Sequence, residues 1–152
     1  MISLALAIHV LAAIVWVGGM FFAHMALRPA VSPMAGPERL ALWGRVFAIF
    51  LPWVWAAVIA LFVTGYGVVY FGYQGFWGVG WHVDLMQVLG LIMMGLFVWL
   101  YWGPYQAFRA ALAAGDVPAA AAQQARIRQI VSINLPLGLI VSALAVAGRN
   151  WG

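Results

Sequence analysis

The stretch ISLALAIHVLAAIVWVGGMFFAHMAL, residues 2–27, carries no charged side chain, and its only polar ones are a serine and two histidines. A helix crosses the hydrocarbon of a bilayer in about 20 mostly apolar residues, so this run is long enough to span. It lacks a basic leading segment, and its apolar run is too long for a signal peptide. Three more stretches qualify, at about 46–71, 82–108 and 127–147. Composition agrees: 67% of the 152 residues are hydrophobic and 7% are charged, against about 25% charged in a soluble domain. Because the backbone in lipid must satisfy its own hydrogen bonds, runs this long are helices. The expected fold is an all-α integral membrane protein, a single domain over residues 1–152. It is an antiparallel bundle of four transmembrane helices joined by short loops.

The connections carry the topology. Residues 28–39, with Pro29, Pro33 and Pro37, form the first, and residues 72–80, rich in glycine, form the second. In the third, residues 109–126, Gly115 is placed to end a helix. Asp116 is placed to cap the next, with Pro118 in its first turn. Of seven arginines, and no lysine, Arg28, Arg39 and Arg45 flank the first loop and Arg109, Arg126 and Arg128 the third. The second loop has none and the C-terminal tail has Arg149. Basic residues stay on the cytoplasmic side, so both termini are expected outside, with the protein multi-pass. The net charge of +4 is topological and marks no nucleic-acid partner; the partners expected are the lipid bilayer, a metal ion, and further copies or subunits of a membrane complex. Trp43, Trp99, Trp102 and Tyr105 near one end, with Tyr70, Tyr73, Phe76, Trp77 and Trp81 near the other, fit interfacial anchors.

With no cysteine, thiolate sites and disulfides are excluded. Paired-carboxylate catalysis is nearly excluded as well, because Asp84 is the one acid placed in or near a span. Polar groups in a bilayer are costly and mark function; setting serine and threonine aside, these are His9, His24, His82, Asp84, Gln87 and Asn134. His9 and His82 both fall in the outer half. Met86 shares a helix face with His82, and Met20 with His24, at i, i+4 spacing. Imidazole and thioether suit copper, and thioether selects Cu(I). The pattern sketches an outer His9/His82/Met86 site, a step at Met93 and an inner Met20/His24 site. The alternative is haem b with His9 and His82 as axial ligands, Gly18 and Gly19 leaving room for the ring. Asp84 is a candidate to orient His9 as an outer partner. Asn134, two residues before Pro136, is expected to bridge the backbone that the proline breaks, or to support the ligands.

The stretches HVLAAIVWVGG (9–19) and WHVDLMQVLGLIMM (81–94), with Arg128 and Asn134 in the fourth span, resemble the CopD family of bacterial copper-resistance membrane proteins. That resemblance implies a bacterial inner membrane, so that the outside termini are periplasmic, and copper handling there, copper moving from periplasm to cytoplasm, with His9 and His82 binding metal and Met86 assisting. The larger members have about twice as many spans or a fused periplasmic copper-binding domain. More distantly the chain is similar to the HemJ family, small haem-containing oxidases, although the basic residues of that family near the third span are missing here. Copper binding or transport is therefore the leading expectation. A haem-dependent membrane oxidoreductase is the second and an accessory subunit of a membrane complex the third.

Overall fold

A computed structural model describes residues 1–72 and 80–148. Four helices are long and apolar enough to cross a membrane: α1, Ile2–Ala30; α2, Gly36–Gly72; α3, Trp81–Ala113; and α4, Val117–Ala147. No strand occurs among the described residues. The helices outrun the apolar stretches that predict them. At 1.5 Å per residue the 37 residues of α2 extend about 55 Å, against about 30 Å of hydrocarbon. Its first turns, bearing Glu38, Arg39 and Arg45, therefore stand beyond the apolar layer. Pro37 opens α2 and Glu38 lies in its first turn, where a proline loses nothing and a carboxylate meets the positive end of the helix dipole.

Local chemistry sets the remaining ends. Gly115 has φ of 69°, a left-handed turn that glycine takes without steric cost. Asp116 then caps α4, its Oδ1 accepting from the Ala119 N–H at 2.9 Å. Pro29 does not break α1 as expected, since it lies in a final helical turn, Arg28–Ala30. The turn before it widens instead into a π-helical segment, Ala23–Leu27, whose register shows in the Arg28 N–H donating to the Ala23 carbonyl. A second π segment, Tyr101–Tyr105, contains Pro104. A proline removes one ladder donor and crowds the carbonyl four residues back, and a widened turn relieves both.

Contacts fix the antiparallel order. The start of α1 meets the end of α2 at His9 and Thr64, and Gly19 meets Phe50 midway. The start of α3 meets the end of α4 at His82 and Gly148. Asn134 of α4 reaches Met93 of α3. The four crossings return the chain to the side on which it began. We call the side of residues 1 and 148 the termini end and the side of the first and third loops the arginine end.

The core is aromatic and lies toward the arginine end. Phe47 packs edge-on against Phe108, centroids 5.7 Å apart, and against Tyr105 at 6.2 Å. Trp16 and Trp55 each present to Phe97 at 6.0 and 5.0 Å. Such edge-to-face pairs add to packing where lipid, being apolar itself, supplies no hydrophobic drive. Large apolar side chains such as Ile14, Ile49, Trp53, Val88 and Ile133 are exposed on the outside, as a bilayer-facing surface requires. Trp99 and Trp102 are exposed and fit anchors. Trp43 and Tyr105 are buried and belong to the core, a correction to their expected interfacial role. Tyr73, Phe76, Trp77 and Arg149 lie outside the described residues.

Candidate functional site

At the termini end, His9 is half-buried and turned toward α2. Its Nδ1 lies 2.8 Å from the Thr64 Oγ1, and its Cε1 comes within 3.2 Å of where a Cβ on Gly65 would stand. Thr64 donates its one hydroxyl hydrogen to the Ala60 carbonyl, so toward His9 it accepts. His9 is thereby held as the Nδ1–H tautomer, with a bare lone pair on Nε2. That is the form in which a neutral imidazole binds a metal, its other nitrogen anchored by a second group. Sequence inspection that sets hydroxyl residues aside misses Thr64; its spacing before Gly65 and Gly67 in an apolar span was the available signal.

His82 sits elsewhere. Its Cβ lies 2.7 Å from the point where a Cβ on Gly148 would stand, and its ring lies against Gly80. The contacts that hold the two outer histidines thus go to different helices, α2 for His9 and α4 for His82. Met86 is half-buried; Asp84 is exposed and makes no hydrogen bond to His9, the place given to it being held by Thr64. Among the described residues no three or more His, Asp or Glu side chains gather as a metal site.

The arginine end is organised differently. A cleft there is lined by His24 and Arg28 of α1, Trp43 of α2, and Gln124 and Arg128 of α4. It shares Ala23, Trp43, Phe47, Ile127 and Val131 with a second cavity of about 50 Å³ that reaches Trp16, Met20, Phe97 and Asn134 in the middle of the bundle. The two are small, adjacent cavities with these walls in common. His24 stands in the π segment Ala23–Leu27 and lines the cleft, and Met20, 5% exposed, lines the second cavity. Asn134, 3% exposed, donates from Nδ2 to the Met93 carbonyl at 3.3 Å. It therefore ties α4 to α3 and does not bridge the backbone broken by Pro136. Its Oδ1 is buried with no hydrogen-bond partner among the described residues, a costly state in an apolar interior.

The same geometry tests haem. His9 and His82 line neither cavity. The room expected at Gly18 and Gly19 is not available to a flat ring: a Cβ on Gly19 would stand 2.1 Å from the Phe50 ring, and Gly18 is exposed with nothing within 4 Å. These residues do not fit a bis-histidine haem.

Residues 44–148 match the family model described as copper resistance protein D, CopD. The chain belongs to the CopD family. The match takes in most of α2 and the whole of α3 and α4, hence Thr64, His82, Met86 and Asn134, and begins after α1, the helix that carries His9, Met20 and His24. No curated protein and no solved structure matches the chain. With four membrane-spanning helices and this membership, the protein is a multi-pass membrane protein of a copper-resistance family.

Proposed function

We propose that this CopD protein binds copper inside its bundle and passes it across the bacterial inner membrane, with both termini in the periplasm and the arginine end in the cytoplasm. The supporting observation is the pair of adjacent cavities on the arginine side of the bundle. His24 lines the one nearer the arginine end, and Met20 and Asn134, whose amide oxygen has no partner among the described residues, line the inner one. A soft thioether with an imidazole favours Cu(I) over the harder divalent ions, and a bound cation would complete the Asn134 oxygen. On the outer side, His9 with its free Nε2 is the entry ligand, His82 and Met86 receive the ion on α3, and Met93 lies between the two levels. The ion is cargo, so modest and successive sites serve better than one tight cage.

Competition of the detergent-purified protein against a chromophoric Cu(I) chelator tests this. Met20→Leu and His24→Ala are each expected to weaken Cu(I) binding about tenfold or more, equivalent to about 1.4 kcal/mol. His9→Ala and His82→Ala are expected to lower the number of copper ions bound at equal protein. Unchanged affinity when Met20→Leu and His24→Ala are combined, together with unchanged stoichiometry when His9→Ala and His82→Ala are combined, would sink copper binding within the bundle.

A further inference from the structure

The polar contact between α1 and α2 is a directed chain. The His9 Nδ1–H donates to the Thr64 Oγ1, and Thr64 donates in turn to the Ala60 carbonyl one helical turn back. A threonine hydroxyl bonded in that way to its own helix has only acceptor capacity left for a neighbour. Both residues are half-buried. Gly65 follows directly, and the His9 Cε1, the ring carbon between the two nitrogens, lies 3.2 Å from where a Cβ there would stand. A side chain at 65 would crowd the ring. Thr64 therefore supplies the acceptor and Gly65 the room, and together they form a seat for the His9 imidazole on α2. The seat bears on an otherwise thinly held stretch, since α1 buries no side chain before Ala12.

We infer that Thr64 is a positioning residue for copper at His9, and that an ion on His9 and the docking of α1 on α2 strengthen each other through it. This rests on the reading of His9 as the entry ligand. A neutral imidazole carries its proton on either nitrogen, and only the other nitrogen can take a metal. The Thr64 oxygen keeps the proton on Nδ1, so an arriving ion meets Nε2 bare. Once bound, the cation draws electron density from the ring and makes the Nδ1–H a stronger donor. Hydrogen bonds from a charged group are roughly twice as strong as neutral ones, so the bond to Thr64 tightens when the ion is present. Such coupling is reciprocal. Whatever Thr64 adds to the grip on the ion, the ion adds to the grip of α1 on α2. The start of α1 is thereby the part of the bundle that incoming copper would order.

The test is a titration of the full chain in detergent, its histidines labelled with nitrogen-15, with Cu(I) under reductant. In the unaltered protein the His9 Nε2 resonance is expected to move while Nδ1 keeps its proton. The amides of the first turns of α1 are expected to exchange with deuterium more slowly once metal is bound. Thr64→Val keeps the shape and removes the acceptor. It should weaken Cu(I) at His9 about tenfold, as loss of a ligand's outer partner does, let the metal reach either nitrogen, and abolish the metal-dependent slowing in α1. Thr64→Ser should restore all three, which a role in packing alone would not require. The stability lost in Thr64→Val should also be greater in saturating Cu(I) than without metal by that same tenfold, about 1.4 kcal/mol. Cu(I) binding to Nε2 with unchanged affinity in Thr64→Val would overturn the inference and leave His9 a ligand. A His9 resonance in the unaltered protein that Cu(I) does not move would overturn the entry ligand as well. Thermal melts without metal identify a misfolded variant; if Thr64→Val is one, Thr64→Ala set against Thr64→Ser carries the same comparison.

Discussion

The two halves of the bundle are built on opposite plans. Toward the arginine end, Trp43, Phe47, Leu100, Tyr105, Phe108, Ala120, Ile127 and Ile130 are all buried and the rings interlock. Toward the termini end, the first two turns of α1 bury no side chain, and α3 buries none before Met93. Among the described residues, the contacts of that half include the His9–Thr64 hydrogen bond, the Phe62–Tyr66 ring pair, Val69, and the close approach of His82 to Gly148. In lipid, helices associate through shape and a few polar contacts, so stability is concentrated where the rings mesh. The more loosely packed half carries the half-buried His9, His82 and Met86, the outer ligands of the proposed function. A cargo site gains from this division, because an ion enters where neighbours are few, without disturbing the part that fixes the fold.

The sharpest way to break the contrast is to remove one side chain from each half. Phe108 is fully buried, and Phe108→Ala is expected to cost about 3 kcal/mol or more, at the low end of a core phenylalanine because lipid offers no transfer penalty. Val69→Ala, in the other half, should cost less than half as much. Reversible unfolding in mixed micelles measures both, and equal losses would show that the halves are equally packed. A smaller effect separates two adjacent glycines. Gly19→Ala should destabilise by about 1–3 kcal/mol, since its Cβ would enter the Phe50 ring. Gly18→Ala, facing open space, should be neutral or slightly stabilising. The smallest concerns Thr64→Val, expected to cost about 0.6 kcal/mol, the average for a hydrogen bond between membrane helices. Its nitrogen-15 imidazole spectrum is the informative readout: His9 should change from one dominant Nδ1–H tautomer to a mixture. An unchanged spectrum would mean that Thr64 does not set the tautomer.

The sequence was most legible where a few neighbouring residues decide the outcome. The turn at Gly115, the Asp116 cap and Pro118 depend on chemistry within four residues, and the structure has them as expected. The four spans were legible because bilayer thickness imposes a length on apolar runs, and their ends less so because helices continue past the lipid. Facing was the difficult part. An aromatic residue near the end of a span looks alike whether it points to headgroups or to the core; Trp43 and Tyr105 differ from Trp99 and Trp102 only in orientation. The i, i+4 ladders Trp43–Phe47 and Trp16–Met20 were the available clue, since repeated bulk on one face marks a packed seam. His9, Met20 and His24 were singled out by the cost of polarity and the softness of sulfur. That Met20 and His24 line adjacent cavities, and that Thr64 holds His9, depends on helix rotation that no spacing rule supplies. Pro136, two residues on, suggests a local backbone bridge for Asn134, but its amide reaches across to α3 instead.

The even number of crossings has a consequence for how such a protein can grow. A unit that begins and ends on the same face of the bilayer can be followed directly by a second copy of itself. The joined copy enters with the same orientation and needs only a short tether, with no additional hydrophobic segment to reverse direction. Its arginines fall on the same side as before, so the charge signals of the two halves reinforce each other during insertion. Tandem duplication, or fusion of a soluble domain to either terminus, is therefore a single genetic step that leaves the original architecture upright.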